Sequence, residues 1–368
     1  MSTTFVIEDA DAQFSANVLS EDAPFVYTRW ANPTVRQLEA KLADLEGGEA
    51  AVAFASGMAA TTALLLHELK AGDHMVVSDV AYAGVAELVR DTLPRLGIEV
   101  EPVDLGDLEA MGRAVRAETR LVYAETPANP ILKLTDIGAV ARVTHEAGAR
   151  LVVDSTFATP VATRPIERGA DFAVHSLTKY MGGHGDAVGG AVIGGAEAMA
   201  ALSQDTAIHA GGILSPFNAW LIMRGMATLP LRMAAHSAGA LQVARFLEER
   251  SGVTRVVYPG LPSHPQHELA RRQMDCFSGM LTFQVPDGRA TAHRLAERLE
   301  VIHYAVSLGH HRSLVFYLPT DEMNRNSFRL TPEQLRRYRE LAGEGIFRLS
   351  VGLEDPDDLC SDLDQALG

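Results

Sequence analysis

The sequence predicts an α/β fold: a mostly parallel central sheet followed by a smaller α+β C-terminal domain. From residue 51 to about 193, short apolar runs such as Met75-Val-Val77, Leu121-Val-Tyr123, Leu151-Val-Val153 and Ala191-Val-Ile193 alternate with helical stretches. That alternation builds a sheet covered by helices on both faces. Beyond residue 250, strand-like Arg255-Val-Val-Tyr258, Met280-Leu-Thr-Phe-Gln284, Leu314-Val-Phe-Tyr-Leu318 and Phe347-Arg-Leu-Ser-Val351 mix with helices. One of those helices opens at Thr331-Pro-Glu333, and the mixture suits a largely antiparallel sheet. The expected divisions are 1–50 for an arm and first helix, 51–249 for the large domain with its linking helix, and 250–368 for the C-terminal domain.

In chain order, residues 1–26 read as an irregular arm, since Ser, Asp and Glu recur there without periodicity. A helix then starts near Asn32-Pro33, places Val35, Leu38, Leu42 and Leu45 on one face, and stops at Gly47-Gly48. Roughly Pro216–Glu249 reads as one long helical segment, with a kink expected at Pro230. In open sheets of this kind, ligands bind at the carboxyl ends of the strands, where Ser56, Asp154 and Lys179 fall.

The chemistry centres on Phe172-Ala-Val-His-Ser-Leu-Thr-Lys-Tyr180. An apolar run delivers the hydroxyls of Ser176 and Thr178 and the amine of Lys179 to one polar end, before the glycine-rich Met181–Gly190. An amine among apolar and cationic neighbours loses its proton more easily and can form a Schiff base, while flanking hydroxyls can hold a phosphate. Pyridoxal phosphate (PLP) needs both. Arg150-Leu-Val-Val-Asp154 supplies a strand-end carboxylate suited to a pyridinium nitrogen. Ala51–Ser56 runs into Gly57-Met58 and a helix, whose free N–H groups suit the phosphate.

Composition excludes other classes. The chain has 368 residues, 47% hydrophobic and 21% charged, which suffices for a large core. A net charge of −15, from 32 basic and 47 acidic residues, repels nucleic acid and anionic membranes. Cys276 and Cys360 show neither metal-ligand spacing nor a disulfide framework, and no metal is expected. The polar start Met1–Pro24 lacks the form of a signal peptide, so the expected location is cytoplasmic.

Several motifs in order resemble the PLP-dependent enzymes of cysteine and methionine metabolism, which include cystathionine γ-synthases, cystathionine lyases and methionine γ-lyases. The resemblance rests on Tyr27-Thr-Arg-Trp-Ala-Asn-Pro-Thr34, Ala55-Ser-Gly-Met-Ala59, Glu125-Thr-Pro-Ala-Asn-Pro130, Val153–Pro160, His175–Tyr180 and Arg348–Asp355, and covers nearly the whole chain after about residue 27. It implies the type I fold of PLP-dependent transferases, like that of aspartate aminotransferase. Lys179, Tyr82 and Asp154 are then the expected catalytic residues. Ser56, Gly57, Met58, Asn129, Thr156, Ser176 and Thr178 join them around the cofactor. Tyr27 and Arg29 are expected to reach the phosphate of a neighbouring subunit, which implies a homo-oligomer with shared sites, at least a dimer and by expectation a tetramer. Tyr82 matches the tyrosine that stacks on the ring and can protonate a departing γ-group, though Ala83-Gly84-Val85 departs from the usual Gly-Gly-Thr.

Asn129, Ser313, Arg312 and Arg348 are the expected substrate contacts; Arg348 is the fork for the α-carboxylate. The departure in this resemblance is Ser307-Leu-Gly-His-His-Arg-Ser-Leu314, where relatives carry small or apolar residues and often an acid before the second serine. The cationic cluster of His310, His311 and Arg312 suits an anionic or neutral distal group and argues against cystathionine. The resulting expectation is a γ-elimination lyase for a γ-substituted L-amino acid, with γ-replacement or β-elimination as alternatives. A dinucleotide-binding reading of Gly182–Gly190 fails because no acidic residue follows a βαβ turn there. A catalytically silent relative would have lost Lys179, Asp154 or Tyr82, and all three are present.

Overall fold

The computed structural model describes residues 2–7 and 24–368. Asn32 caps the first helix, α1 (Pro33–Glu46), by accepting the Thr34 N–H, and Gly47 ends it in the left-handed conformation. Leu38 and Leu42 are buried, with Val35 and Leu45 packed beside them, as the spacing predicts. Much of the arm expected over residues 1–26 lies outside the described residues; within them, Thr4 bridges to Tyr27.

The large sheet contains β1 (Ala50–Phe54), β2 (His74–Ser78), β3 (Glu99–Val103), β4 (Thr119–Glu125), β5 (Arg150–Asp154), β6 (Phe172–Ser176) and β7 (Gly190–Gly194). Their order is β1-β7-β6-β5-β4-β2-β3, and β7 runs antiparallel to both of its neighbours. The other six therefore share one direction and end at one edge. Alternate side chains enter different cores: Met75, Val77, Tyr123 and Val152 pack with Leu64 and Leu65 on one face, and Val76, Val122, Leu151 and Val153 pack with Val140 on the other.

A second sheet contains β8 (Arg255–Val257), β9 (Met280–Gln284), β10 (His303–Tyr304), β11 (Leu314–Pro319) and β12 (Gly345–Ser350), in the order β10-β11-β12-β9-β8. All its pairings are antiparallel except β10 with β11. The stacked rings of Phe283 and Phe347, 5.0 Å between centroids, sit in its core with Val243, Leu247 and Leu363. No helix among the described residues is long and apolar enough to cross a membrane.

One local expectation is corrected, and one strand was not foreseen. The segment Pro216–Glu249 is not one kinked helix but two, Pro216–Met226 and Leu229–Glu249, broken at Ala227-Thr228. Pro230 lies in the first turn of the second helix, where its missing N–H has no partner to lose. Strand β3 escapes the reading because it is an edge strand with Glu99, Glu101 and Pro102 exposed, so it offers no apolar run.

The C-terminal helix Pro356–Leu367 is tied to the second sheet through Asp362, which is buried. Its carboxylate accepts the N–H groups of Glu300, Val301 and Ile302 at 2.9, 3.0 and 2.8 Å, immediately before β10. Burial opposes the charge, but these bonds outweigh it and hold the carboxyl below its ordinary pKa. Because the folded value is depressed, the contribution is present above the ordinary carboxylate range and is lost on acidification through the folded value. Asp362→Ala should cost ~2–4 kcal/mol in urea unfolding at neutral pH by leaving backbone donors unpaired, and the difference from wild type should shrink on acidification.

Candidate active site

The shared strand edge carries the chemistry. A cavity of about 400 Å³ opens there, lined among others by Ser56, Gly57 and Met58 after β1, Tyr82 after β2, Glu125 at the end of β4 and Asn129 after it, Asp154 at the end of β5 and Thr156 after it, and Ser176 at the end of β6 with Thr178 and Lys179 after it. Val306, Ser307, Leu308 and Arg348 close it from the C-terminal part of the chain.

Ser56 is the N-cap of α2 (Gly57–Glu68), and its hydroxyl accepts the Ala59 N–H at 3.1 Å. The N–H groups of Gly57 and Met58, in the first turn, have no carbonyl partner within the helix and add to its positive end. Ser176 approaches so closely that a Cβ on Gly57 would lie 2.9 Å from the Ser176 Cβ, so any larger residue would fill this cradle. Thr178 exchanges bonds with Gly189, its hydroxyl donating to the carbonyl at 3.2 Å and accepting the N–H at 3.1 Å.

Asp154 is buried. Its Oδ1 accepts the Thr156 N–H at 3.0 Å and its Oδ2 accepts the Tyr123 hydroxyl at 3.3 Å. The Thr156 hydroxyl accepts the Ser176 N–H at 2.9 Å, tying the ends of β5 and β6 together. Burial raises the Asp154 pKa, opposed by its Thr156 bonds, by His175 and by the Tyr123 hydroxyl. Lys179 lines the same cavity and is half-buried, and desolvation and then the Arg348 charge lower its pKa. Its Nζ donates to Ser307 Oγ at 3.1 Å.

Arg348, on β12, donates from Nη1 to Asn129 Oδ1 at 2.8 Å and from Nη2 to the Ser307 carbonyl at 3.3 Å. Both bonds orient the guanidinium at the cavity wall. The residues present fit PLP: an amine for its aldehyde, a carboxylate for its ring nitrogen, helix-end amides and hydroxyls for its phosphate.

Four expected contacts stand elsewhere. Tyr27 and Arg29 do not line this chain's cavity; the Arg29 guanidinium lies over the Tyr27 ring at 5.6 Å and donates to the Ile208 carbonyl at 3.0 Å. Ser313 is buried, donating from Oγ to Glu354 at 2.9 Å and accepting the Gly352 N–H at 2.8 Å. Arg312 is exposed, because its neighbours are pinned inward: the His311 carbonyl accepts from Leu353 at 2.9 Å and the Ser313 N–H donates to Glu354 at 2.7 Å. None of His310, His311 and Arg312 lines this chain's cavity.

Ser307 and Glu125 are among the lining residues that escaped the sequence reading. Ser307 is the serine that faces Lys179. Glu125 accepts the Tyr82 N–H at 2.5 Å and the Asn129 N–H at 2.8 Å, so one carboxylate places both residues. Burial and the adjacent Asp154 push its pKa well up, opposed by those two N–H groups and by Arg348. Its place in Glu125-Thr-Pro-Ala-Asn-Pro130, at the end of an apolar strand, was the available signal.

The whole chain, residues 1–368, matches the family model of the Cys/Met metabolism PLP-dependent enzymes. It is 46% identical over 345 residues to a canavanine gamma-lyase from Pseudomonas canavaninivorans, covering 93% of this chain and 84% of that one. An O-succinylhomoserine sulfhydrylase from Pseudomonas aeruginosa is 42% identical over 359 residues, 98% of this chain and 86% of its own. The crystal structure of a cystathionine gamma-lyase from Lactobacillus plantarum, complexed with L-serine, superposes with a TM-score of 0.88 at 34% identity, covering 100% of this chain and 91% of that one. A match running the full length of the sequence, with the same fold, makes this chain a member of the Cys/Met metabolism PLP-dependent enzymes, and pyridoxal phosphate its cofactor.

Proposed function

We propose that the protein catalyses γ-elimination from a γ-substituted L-amino acid, yielding a 2-oxo acid and ammonia. The observation that carries this reading is the placement of the Lys179 amine and the Arg348–Asn129 fork in one cavity of about 400 Å³. Four other cavities among the described residues share no lining residue with it. The relative at 46% identity is itself named a γ-lyase. A second reading, γ-replacement by a thiol, is favoured by the 42% identical sulfhydrylase.

The bound cofactor supplies an aldehyde that takes the substrate amine and a ring that withdraws electrons from the substrate carbons. Arg348 binds the substrate α-carboxylate through its planar fork, and Asn129 keeps that fork from rotating. Lys179, whose amine is more often neutral than an exposed lysine's, would take the proton from Cα, release it to the cofactor and, neutral again, take a proton from Cβ. The Tyr82 phenol, at the cavity wall, protonates the departing γ-group. Asp154 holds the ring nitrogen in its protonated form, and Ser176, Thr178 and the amides of Gly57 and Met58 hold the phosphate. Tyr27 and Arg29 complete the phosphate site of a second copy of the chain. That neither lines this chain's own cavity supports that assignment.

Mass spectrometry of products from a panel of γ-substituted amino acids, with and without thiol, tests the reaction. Elimination predicts 2-oxo acid and ammonia in both arms; a thiol adduct with no 2-oxo acid in the thiol-free arm would reverse the assignment. Arg348→Met should raise KM about 10–100-fold, the size of a charge-assisted bond. It should also let the Lys179 pKa rise, since a neighbouring cation is removed. In cofactor-free protein, the pH midpoint for chemical labelling of Lys179, read by peptide mass spectrometry, should move upward in this variant.

A further inference from the structure

Arg232 is buried on the helix Leu229–Glu249, outside the cavity, and the proposed reaction makes no use of it. A guanidinium carries five N–H donors in one plane, and each needs an acceptor once water is gone. Nη1 donates to the Tyr180 carbonyl at 2.7 Å, Nη2 to the carbonyls of Gly225 at 2.8 Å and Met181 at 3.4 Å, and Nε to the Thr228 hydroxyl at 3.1 Å. No carboxylate pairs with it among the described residues, and desolvation pushes its pKa down to about 10, so it is still a cation at neutral pH. The charge is met by carbonyl dipoles, among them that of Gly225 in the last turn of the helix Pro216–Met226, the negative end.

Two of those carbonyls belong to the turn that follows Lys179, whose backbone groups can be accounted for one by one. The Lys179 N–H donates to the Ser176 carbonyl at 3.1 Å, the Gly182 N–H to the Leu177 carbonyl at 2.9 Å and the Gly183 N–H to the Lys179 carbonyl at 2.8 Å. The carbonyls of Tyr180 and Met181, both buried residues, are taken by Arg232. The glycine-rich run after Lys179 makes this possible. Gly183 has φ +72°, and a Cβ there would overlap Arg232 Nη1, so the guanidinium enters the turn only where no side chain stands. A Cβ on Gly225 would overlap the Gly182 carbonyl oxygen, which shows how closely the helix end meets the turn. Gly309, two residues after Ser307, closes on the same turn, where a Cβ would lie 2.5 Å from the Tyr180 nitrogen.

We propose that Arg232 is a positioning residue for the reacting amine: it clamps the turn after Lys179 to the end of the helix Pro216–Met226, so that the Lys179 side chain moves from a fixed backbone. A buried cation without a carboxylate is a costly way to hold a loop. What it adds over an apolar side chain is direction, since one planar fork fixes three carbonyls at once. An amine that serves two substrate carbons in turn needs its own Cα fixed, because a misplacement of about 1 Å costs about a hundredfold in rate.

This role rests on the reading of Lys179 as the reacting amine. Arg232→Lys keeps the charge without the fork, and Gly183→Ala keeps the arginine but crowds its Nη1. In cofactor-free protein of both variants, the pH midpoint for chemical labelling of Lys179 should move upward, because a turn no longer held lets the desolvated amine reach water. The midpoint of Lys133, paired with Asp104 elsewhere in the large domain, should stay in place. In the holoenzymes kcat should fall about 10–100-fold, the size of a misplaced reacting group, with KM kept, since the Arg348–Asn129 bond is untouched. Unchanged Lys179 midpoints, a kcat within about twofold of wild type in both variants, or a loss that tracks the unfolded fraction in circular dichroism would overturn the role. If the variants do not fold, hydrogen exchange of the wild type decides: the amides of Gly182 and Gly183 should exchange as slowly as those of β6, and fast exchange overturns the clamp. Borohydride reduction of the wild-type holoenzyme separates the two readings. Cofactor attached to another lysine removes both, whereas cofactor attached to Lys179 with no shifted midpoint removes the clamp alone.

Discussion

Two carboxylates set the terms for the site. Glu125 and Asp154 end adjacent parallel strands, pair with each other in register, and are both buried. A buried carboxylate that is neither paired nor hydrogen-bonded costs several kcal/mol; burial raises the pKa of both, and the adjacent Asp154 raises that of Glu125 further by repulsion. Glu125 resolves this by accepting two backbone N–H groups with Arg348 nearby. Asp154 has one N–H, one phenol and a histidine at a distance, and it lines the cavity. The missing positive charge is what a protonated pyridine nitrogen brings. On this account the apoprotein carries an electrostatic demand that the cofactor meets.

The rest of the architecture makes that demand local. Six strands ending at one edge bring an amine, a carboxylate and a helix N-terminus together from positions far apart in the sequence. Arg348 comes from the middle of the second sheet, flanked by Phe316 on β11 and Thr282 on β9, so its fork starts from a rigid base. Its bonds to Asn129 and to the Ser307 carbonyl join the two halves of the site.

Much of this was legible in the sequence because the informative residues end apolar runs. Asp154 ends a buried strand, Lys179 and Ser56 follow two others, and α1 announces itself by Asn32, Pro33 and Gly47. What stayed hidden depends on partners distant in the chain. Ser313 is drawn out of the site by Glu354, 41 residues later, while Ser307 takes its place against Lys179, 128 residues earlier. Glu125 acts on the backbone of Tyr82, 43 residues away, a role that no local pattern encodes. An exposed edge such as β3 and a helix break such as Ala227-Thr228 leave no periodic trace.

The central claim is that Asp154 keeps the ring nitrogen of the cofactor protonated. Nitrogen-15 NMR of the holoenzyme reconstituted with ring-labelled pyridoxal phosphate measures this directly. The account predicts a protonated pyridine nitrogen at neutral pH that loses its proton in Asp154→Asn; an unprotonated nitrogen in the wild-type enzyme would contradict it.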